Sequence, residues 1–269
     1  MAVLPTMRLG EVEVSRLICG SNPFLGYSYR SPAHNAWQRE VMTTDRIARL
    51  LEKCLECGIN TMAGNYDDEG TLHQARVLCE KRVGKAPHWI AYTHGPLSGQ
   101  LEVIDKLADQ GAFAIYIQGG QVDSCFNYNY VGAVVFDGQD RMEQVVPWLA
   151  RIRERGCVPG LGSHRPQIIE LAEQRGYDAE FYALPLNFVG VYCDYAPAVR
   201  VINEIKKPFV AIKALGGSAR IPPEEGFTCA FTALKKTDGV AAGIENEQSV
   251  EYNAAYVAGL LAMLDGKTF

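Results

Sequence analysis

The sequence predicts an eight-stranded (β/α)8 TIM barrel that begins with a small β-hairpin. Short apolar segments alternate with amphipathic helical segments, and this alternation repeats eight times along the chain. The length of 269 residues also matches the size of about 250 residues that is typical of such barrels. A doubly wound open sheet shows the same alternation, but eight repeats favour closure. No change in composition marks a linker, so we expect a single domain over residues 1–269.

The first predicted elements are a hairpin, a barrel strand, a long loop and a helix. Met7–Val14 alternates around a glycine and is typical of a hairpin. Leu17–Cys19 is the first predicted barrel strand, and the aromatic-rich segment Ser21–Met42 is predicted to be a long loop. A helix over residues 43–57 follows, capped by one of the two threonines at its start.

Seven further strand–helix pairs follow this first pair. The predicted strands are Ile59–Ala63, His88–Thr93, Ala112–Ile117, Val158–Leu161, Phe181–Leu184, Pro208–Ile212 and Gly239–Ala242. The predicted helices are Thr71–Val83, Gly99–Gln110, Arg141–Arg155, Pro166–Arg175, Ala198–Lys206, Glu224–Lys235 and Gln248–Leu264.

The composition is ordinary for a soluble globular protein, with 48% hydrophobic and 21% charged residues. The formal net charge is -5 and the basic residues are scattered, so we expect no nucleic-acid partner and no binding to anionic membranes. The sequence shows neither a signal peptide nor an apolar run of about 18 residues, and we expect a cytoplasmic protein. Its eight cysteines lie mostly in apolar segments and are expected to be reduced.

A set of short segments, spread over nearly the whole chain, carries a family resemblance. They are Leu9-Gly10, Val14–Leu17 with Gly20, Gly58–Asn60, Pro159–Ser163, Ala211–Gly217, and Gly243 with Asn253. In content and order they resemble the aldo-keto reductase superfamily. The resemblance implies a (β/α)8 barrel with an opening hairpin. It also implies carbonyl reduction with NADPH by an Asp, a Tyr, a Lys and a His.

The four positions that do chemistry in that family are filled differently in this chain. An ungapped alignment puts Ala63 at the Asp position and Asp68 at the Tyr position, with Tyr66 as the substitute if the loop is shorter. His94 replaces the Lys, and Gln118 replaces the His. Ala63, His94 and Gln118 differ from the family's residues, so at least three of the four roles are unfilled, and neither Ala nor Gln titrates. We therefore expect chemistry other than the reduction typical of the family.

The cofactor is left open by the sequence, and charge disfavours NADPH. The family usually binds the 2′-phosphate with cationic and hydroxyl groups beside the eighth strand, whereas this chain has Glu245 and Glu247 there. Two carboxylates repel a phosphate dianion. Gly216-Gly217 would still let the backbone approach a phosphate, so nicotinamide binding stays an alternative.

The predicted site lies at the carboxyl ends of the strands, where barrels of this kind place their active sites. The candidate catalytic residues there are His94, His164, Lys213, Tyr66 and Asp67. The candidate substrate-binding residues are Asn22, Asn65, Gln118, Asn187 and Glu245.

The histidines and the lysine carry the chemical hypotheses. His94 and His164 suit acid–base chemistry because imidazole titrates near neutrality, although either could simply cap a helix or bind a loop carbonyl. A desolvated Lys213 would act as a base or a Schiff-base nucleophile, but an ion pair with Glu245 is the simpler expectation. His94, His164 and Glu245 are also familiar metal ligands; no H-x-H or H-E-x-x-H pattern supports a metal site, and we assign none.

Two aromatic-rich segments are predicted to wall the site. Asn22–Trp37 and Cys125–Tyr130 combine aromatic faces with amides and hydroxyls, which suits sugars and similar polyhydroxylated molecules. Such segments also form subunit contacts, so a homo-oligomer is the alternative use.

These observations predict a small-molecule enzyme that performs acid–base chemistry, as an isomerase, epimerase or lyase, on a carbonyl or carbohydrate-like substrate. His94 would be the base or acid, and Lys213 and His164 its partners. One alternative is a divergent NAD(P)-dependent oxidoreductase in which Tyr66 or His94 supplies the proton. The other is a non-catalytic binding protein that keeps the barrel as a scaffold.

Overall fold

A closed barrel of eight parallel strands organises the chain in the computed structural model, which describes residues 3–67, 69–125 and 140–266. An antiparallel hairpin, β1 (Thr6–Leu9) and β2 (Val12–Ser15), precedes it. The barrel strands are β3 (Leu17–Gly20), β4 (Thr61–Asn65), β5 (His88–Tyr92), β6 (Ala114–Ile117), β7 (Val158–Gly162), β8 (Phe181–Pro185), β9 (Phe209–Ile212) and β10 (Gly239–Gly243). The predicted fold class, a (β/α)8 barrel with an opening hairpin, is confirmed.

Helices follow the strands of the barrel. They are α1 (Pro32–Val41), α2 (Thr44–Glu56), α3 (Thr71–Val83), α4 (Gln100–Asp109), α5 (Gly119–Ser124), α6 (Val145–Glu154), α7 (Pro166–Gln174), α8 (Tyr195–Glu204), α9 (Pro223–Ala233) and α10 (Glu247–Gly266). Within the described ranges, none of these helices combines the length and the apolar character needed to cross a bilayer.

The segment Ser21–Met42, predicted to be a loop, instead contains α1. Ser31 caps this helix by accepting a hydrogen bond from the backbone N–H of His34 at 3.1 Å, and Pro32 lies in its first turn. Only Gln38 of α1 is buried, so the helix lacks the apolar periodicity by which helices are recognised in a sequence. The prediction of a loop was wrong for that reason.

Hydrogen bonds join the first and last barrel strands near their amino-terminal ends. Strand β10 pairs with β3, and the backbone N–H of Val240 donates to the carbonyl of Arg16 at 2.7 Å. The buried guanidinium of Arg16 also donates to the carbonyls of Asp238 and Lys235, both at 2.8 Å. These bonds satisfy buried backbone oxygens that would otherwise destabilise the closure.

The hairpin closes the amino-terminal end of the barrel. Met7, Leu9 and Val14 are buried and belong to the same apolar cluster as the interior barrel residues Ile18 and Ile90. A second, larger cluster fills the space between the strands and the helices. The hairpin does not cover the carboxyl ends of the strands, so a ligand can enter the barrel there.

Gly160 on β7 makes room for the aromatic floor of that open end. A Cβ atom at Gly160 would lie 2.4 Å from the Phe181 ring and 2.8 Å from the Cβ of Tyr116. The rings of Tyr116 and Phe181 meet edge to face, with their centroids 6.0 Å apart. Only a glycine fits this position without displacing both rings.

We expect Gly160→Ala to lower the free energy of unfolding by about 1–3 kcal/mol, because the added methyl overpacks the barrel interior. Urea unfolding would measure it. Gly259→Ala in α10 is the matched control: its Cβ meets no atom within 4 Å, so improved helix propensity should leave stability unchanged or raise it by up to about 1 kcal/mol. A neutral Gly160→Ala would contradict the proposed steric constraint.

Candidate active site

A cavity of about 560 Å³ opens at the carboxyl ends of the barrel strands. This volume lies in the range of small-molecule sites, roughly 300–1,000 Å³. Most of the residues predicted from the strand ends line it: Asn22, Asn65, His94, Gln118, His164, Lys213 and Glu245.

Three predicted residues are not brought to the cavity wall. Asp67 caps α3 by accepting from the backbone N–H of Thr71 at 2.6 Å. The Tyr66 ring packs against the outer layer, 5.6 Å from the Nζ of Lys106. Asn187 clamps its own loop through hydrogen bonds to both backbone groups of Val191, each 3.0 Å long. These contacts hold helices and loops rather than a ligand.

Lys213 follows β9 and sits between two tyrosines. Its Nζ donates a hydrogen bond to the Tyr29 hydroxyl, and lies 3.7 Å from the centroid of the Tyr29 ring and 5.2 Å from that of Tyr192. The expected ion pair with Glu245 is not formed, so that expectation was wrong. Because the amine is removed from water by burial, the pKa of Lys213 falls to about 7.

Glu245 instead holds α1 and the segment before it against β10. Its carboxylate accepts from the side-chain amide of Gln38 at 2.8 Å and lies 3.4 Å from the His34 imidazole and 3.5 Å from the Arg30 guanidinium. These partners are close only because residues 32–41 are helical. Their grouping could not be predicted while this segment was interpreted as a loop.

Backbone strain is concentrated around Lys213. Tyr29, Tyr192 and Lys213 have φ angles of 60°, 70° and 59°, in the left-handed region that side chains other than glycine seldom adopt. Of the residues that the structure describes, Arg220 is the remaining non-glycine with a positive φ. Such conformations cost of order 1–3 kcal/mol each and persist where the surrounding fold enforces them, often at functional sites.

His164 follows β7 and is held by a buried carboxylate. Its Nδ1 lies 2.7 Å from Oδ2 of Asp123, on α5. Asp123 also accepts from the Ser163 hydroxyl at 2.6 Å and from the backbone N–H of His164 at 3.2 Å. This arrangement fixes the orientation of the ring and places its proton on Nδ1, facing the carboxylate. The ring centroids of His164 and Tyr192 are 5.8 Å apart, so His164 and Lys213 both contact Tyr192.

Asp123 is a site residue that sequence reasoning missed. It lies in a stretch after β6 that was predicted to be loop, and α5 begins there with two glycines. Asp123 contacts His164, which follows the next strand and lies 41 residues further along the chain. No local sequence pattern indicates such a contact.

His94 differs from His164 in its surroundings. It is exposed at the rim of the cavity and has no hydrogen bond to the residues that the structure describes. Gln118 also lines the cavity, and its side-chain oxygen caps α5 by accepting from Gly120 N–H at 3.1 Å. The geometry therefore favours His164 over His94 as the oriented acid–base group.

A polar network lines the wall near Lys213. The Tyr92 hydroxyl donates to the Asn22 side-chain oxygen at 2.9 Å, and the Asn22 amide donates to the Tyr29 hydroxyl at 2.6 Å. Burial raises the pKa of Tyr92 to about 12, so this phenol stays protonated. The side-chain oxygen of Asn65 is buried and has no hydrogen-bond partner among the described residues, so it is available to a donor group on a ligand.

The described residues offer no cluster of metal-ligating side chains. Among residues 3–67, 69–125 and 140–266 there is no cluster of three or more His, Cys, Asp or Glu side chains that would hold an ion. Asp68 and the aromatic residues 126–130, named above as a tetrad position and a cavity wall, lie outside the described residues.

The residues beside β10 do not fit the 2′-phosphate of NADPH. Arg30 is already paired with the Glu245 carboxylate, at 3.5 Å. A phosphate placed there would have to compete with Glu245 for the guanidinium and would lie against a carboxylate. Gly216 and Gly217, with φ angles of 69° and 56°, offer backbone only.

Comparisons with known proteins identify the fold. A comparison with models of known protein families gives no match, and a sequence comparison with curated proteins gives none either. Among solved structures, a Pseudomonas aeruginosa protein assigned to the aldo-keto reductases superposes with a TM-score of 0.66 at 16% identity, covering 97% of this chain and 98% of that one. The aldose reductase of Giardia lamblia gives 0.60 at 10% identity, with 98% and 94% covered.

A further match shows how widely this architecture is shared. The Rubisco of Pyrococcus horikoshii gives a TM-score of 0.51 at 11% identity, covering 82% of this chain and 56% of that one. Identities this low relate folds and not activities. The chain thus has an aldo-keto-reductase-like barrel, and its chemistry has to be argued from the site itself.

Proposed function

We propose that this protein is an isomerase, epimerase or lyase that moves a proton next to a carbonyl group in a small, sugar-like molecule. One observation carries the proposal: the oriented His164–Asp123 pair and the desolvated Lys213 amine meet at Tyr192 in one cavity. An acid–base group and a carbonyl-activating group within one small site are the requirements of such reactions.

His164 is the proton-transfer group in this proposal. The neutral imidazole takes a proton from the carbon beside the carbonyl, and the carboxylate of Asp123 stabilises the imidazolium that results. Negative charge then develops on the carbonyl oxygen. Lys213 and the Tyr29 hydroxyl are the donors that would stabilise it, because both lie on the cavity wall.

The residues that line the cavity support the proposed substrate class. Tyr29, Tyr92 and Tyr116 line the cavity, and Asn22 and Asn65 add amide groups. Aromatic rings stack on the C–H faces of sugars, and amides bind their hydroxyls. The Asn65 oxygen, which has no partner in the described ranges, would accept a hydrogen bond from a sugar hydroxyl.

Proton exchange in D2O tests this function even when the final product of the reaction is not identified. The protein is incubated with ketoses, aldoses and 2-keto acids, and NMR follows deuterium incorporation beside the carbonyl. We expect His164→Ala to slow exchange by about 10²–10⁴-fold, the usual contribution of a general base. His73→Ala is the matched control, because this histidine lies on α3 and contacts the Gln110 carbonyl.

His94→Ala, in the same assay, separates the two histidines. Because His94 is exposed at the rim and no carboxylate in the described ranges orients it, we expect its loss to cost less than about 10-fold. A loss as large as that of His164→Ala would assign the proton transfer to His94. If the wild type exchanges no proton with any compound in the panel, the proposed function is wrong.

The depressed pKa of Lys213 predicts a pH dependence of stability. This group has a pKa of about 7 in the fold and its ordinary value of 10.5 when unfolded, so the unfolded chain binds more protons between these values. Its destabilising effect is complete below pH 7 and fades as pH rises towards 10.5. Relative to Lys213→Met, the wild type should gain up to about 1.4 kcal/mol per pH unit in this window. Urea unfolding at about pH 6, 7, 8 and 9 would measure it, and parallel pH profiles would contradict it.

Carbonyl reduction is the second candidate, and one contact favours it. The Tyr29 hydroxyl accepts hydrogen bonds from both Lys213 and Asn22 and lines the cavity, where it would donate its proton to a substrate oxygen. The carboxylate of Glu245 argues against NADPH as the reductant.

Titration with NADPH and NADH, followed by intrinsic fluorescence, separates the two functions. Because the 2′-phosphate would lie against Glu245, we expect no micromolar binding of NADPH. Glu245→Gln is the matched variant, since it removes the charge and keeps the shape. Tight binding of either nucleotide to the wild type would favour the oxidoreductase and make Tyr29 the proton donor.

A further inference from the structure

We propose that Lys213 acts covalently, forming an imine between its Nζ and the carbonyl carbon of an aldehyde or ketone substrate. This inference rests on the proposed function and specifies how the carbonyl is activated. The amine lies on the cavity wall between the rings of Tyr29 and Tyr192. A lysine paired with a carboxylate keeps its proton, whereas one held among neutral rings releases it and becomes a nucleophile.

The charges around Lys213 support a neutral amine. Its contacts are with tyrosines, and it forms no ion pair with a carboxylate in the described part of the chain. Glu245, the acidic residue on the neighbouring strand's loop, is directed to Arg30, His34 and Gln38 instead. The fold therefore holds Glu245, the expected counterion, away from the amine. The lack of this ion pair is consistent with the lowered pKa of Lys213, about 7.

The backbone holds the amine in a fixed place. Lys213 has a φ of 59°, and its carbonyl accepts from Gly216 N–H at 2.8 Å, which closes a tight turn. Tyr29 and Tyr192 reach the side chain from strained positions of their own. Three strained residues that enclose one amine indicate that its position is specified by the fold and not incidental.

Imine formation at Lys213 begins with attack by the neutral amine. The nitrogen lone pair forms the C–N bond, and the carbonyl π pair moves to oxygen to give a carbinolamine once a proton passes from nitrogen to that oxygen. A second proton, from the His164 imidazolium or the Tyr29 hydroxyl, lets the oxygen leave as water. A protonated C=N bond remains. This protonated imine is a stronger electron acceptor than the carbonyl, so loss of the neighbouring proton or cleavage of the neighbouring carbon–carbon bond becomes easier. Water later hydrolyses the imine and releases the Lys213 amine.

Reductive trapping tests the proposal. The wild-type protein is incubated at about pH 7 with dihydroxyacetone, glyceraldehyde or pyruvate and sodium cyanoborohydride, which reduces the imine to a secondary amine. Peptide mass spectrometry then locates the adduct, whose added mass is that of the carbonyl compound less one oxygen. About half of the Lys213 amine is neutral near pH 7, against roughly one part in 10³ for an ordinary lysine. We expect Lys213 to be modified at least about 100-fold faster than the exposed Lys206.

Lys213→Arg is the matched variant, because arginine keeps the positive charge but forms no imine under these conditions. We expect it to lose the fast adduct and to lose deuterium exchange by at least about 100-fold. Circular dichroism verifies that it folds; if it does not, trapping on the wild type still decides between the two outcomes. Modification of Lys213 no faster than of Lys206 would overturn the proposal, as would near-wild-type exchange by Lys213→Arg.

The outcomes also separate this proposal from the proposed function. Deuterium exchange that depends on His164, without selective trapping of Lys213, overturns the imine and leaves proton transfer standing. Selective trapping without any exchange supports the imine and counts against the proton transfer assigned to His164.

Discussion

Closure of the barrel is the constraint on which the rest of the structure depends. Strand β10 pairs with β3, and the buried Arg16 ties the start of both strands together through backbone carbonyls. With the hairpin residues Met7 and Leu9 filling the amino-terminal end, the interior is accessible from the carboxyl end. Loops that follow different strands must then converge on one cavity. Residues as distant in the chain as Tyr29 and Lys213 come into contact for this reason.

Within that cavity the fold tolerates features that cost stability. The half-buried Lys213 forms no ion pair with a carboxylate of the described residues, and it and two neighbouring tyrosines adopt left-handed backbone conformations. A protein selected for stability alone would replace such residues, since each left-handed side chain costs of order 1–3 kcal/mol. Their concentration around one amine is the physical observation that supports the proposal of an active site at this end of the barrel.

Glu245 affects the surroundings of Lys213 although the two side chains form no ion pair. Glu245 is engaged by Gln38, His34 and Arg30, so it anchors α1 beside the cavity and stays away from Lys213. The same carboxylate disfavours a phosphate at this position. Glu245 thus helps to position the α1 segment, and it leaves Lys213 without a counterion among the described residues.

The sequence by itself determined the architecture, because hydrophobic periodicity is a local property and eight repeats of it leave few alternatives to a closed barrel. It also indicated which strand ends carry titratable groups, and Lys213 and His164 indeed lie on the cavity. Helix α1 was missed because its surface is polar on nearly all sides. The partners that give each group its chemistry, Asp123 for His164 and the two tyrosines for Lys213, were decided only by the tertiary structure. Proton affinity and orientation depend on neighbours brought together by barrel closure, and a linear pattern carries no information about those distances.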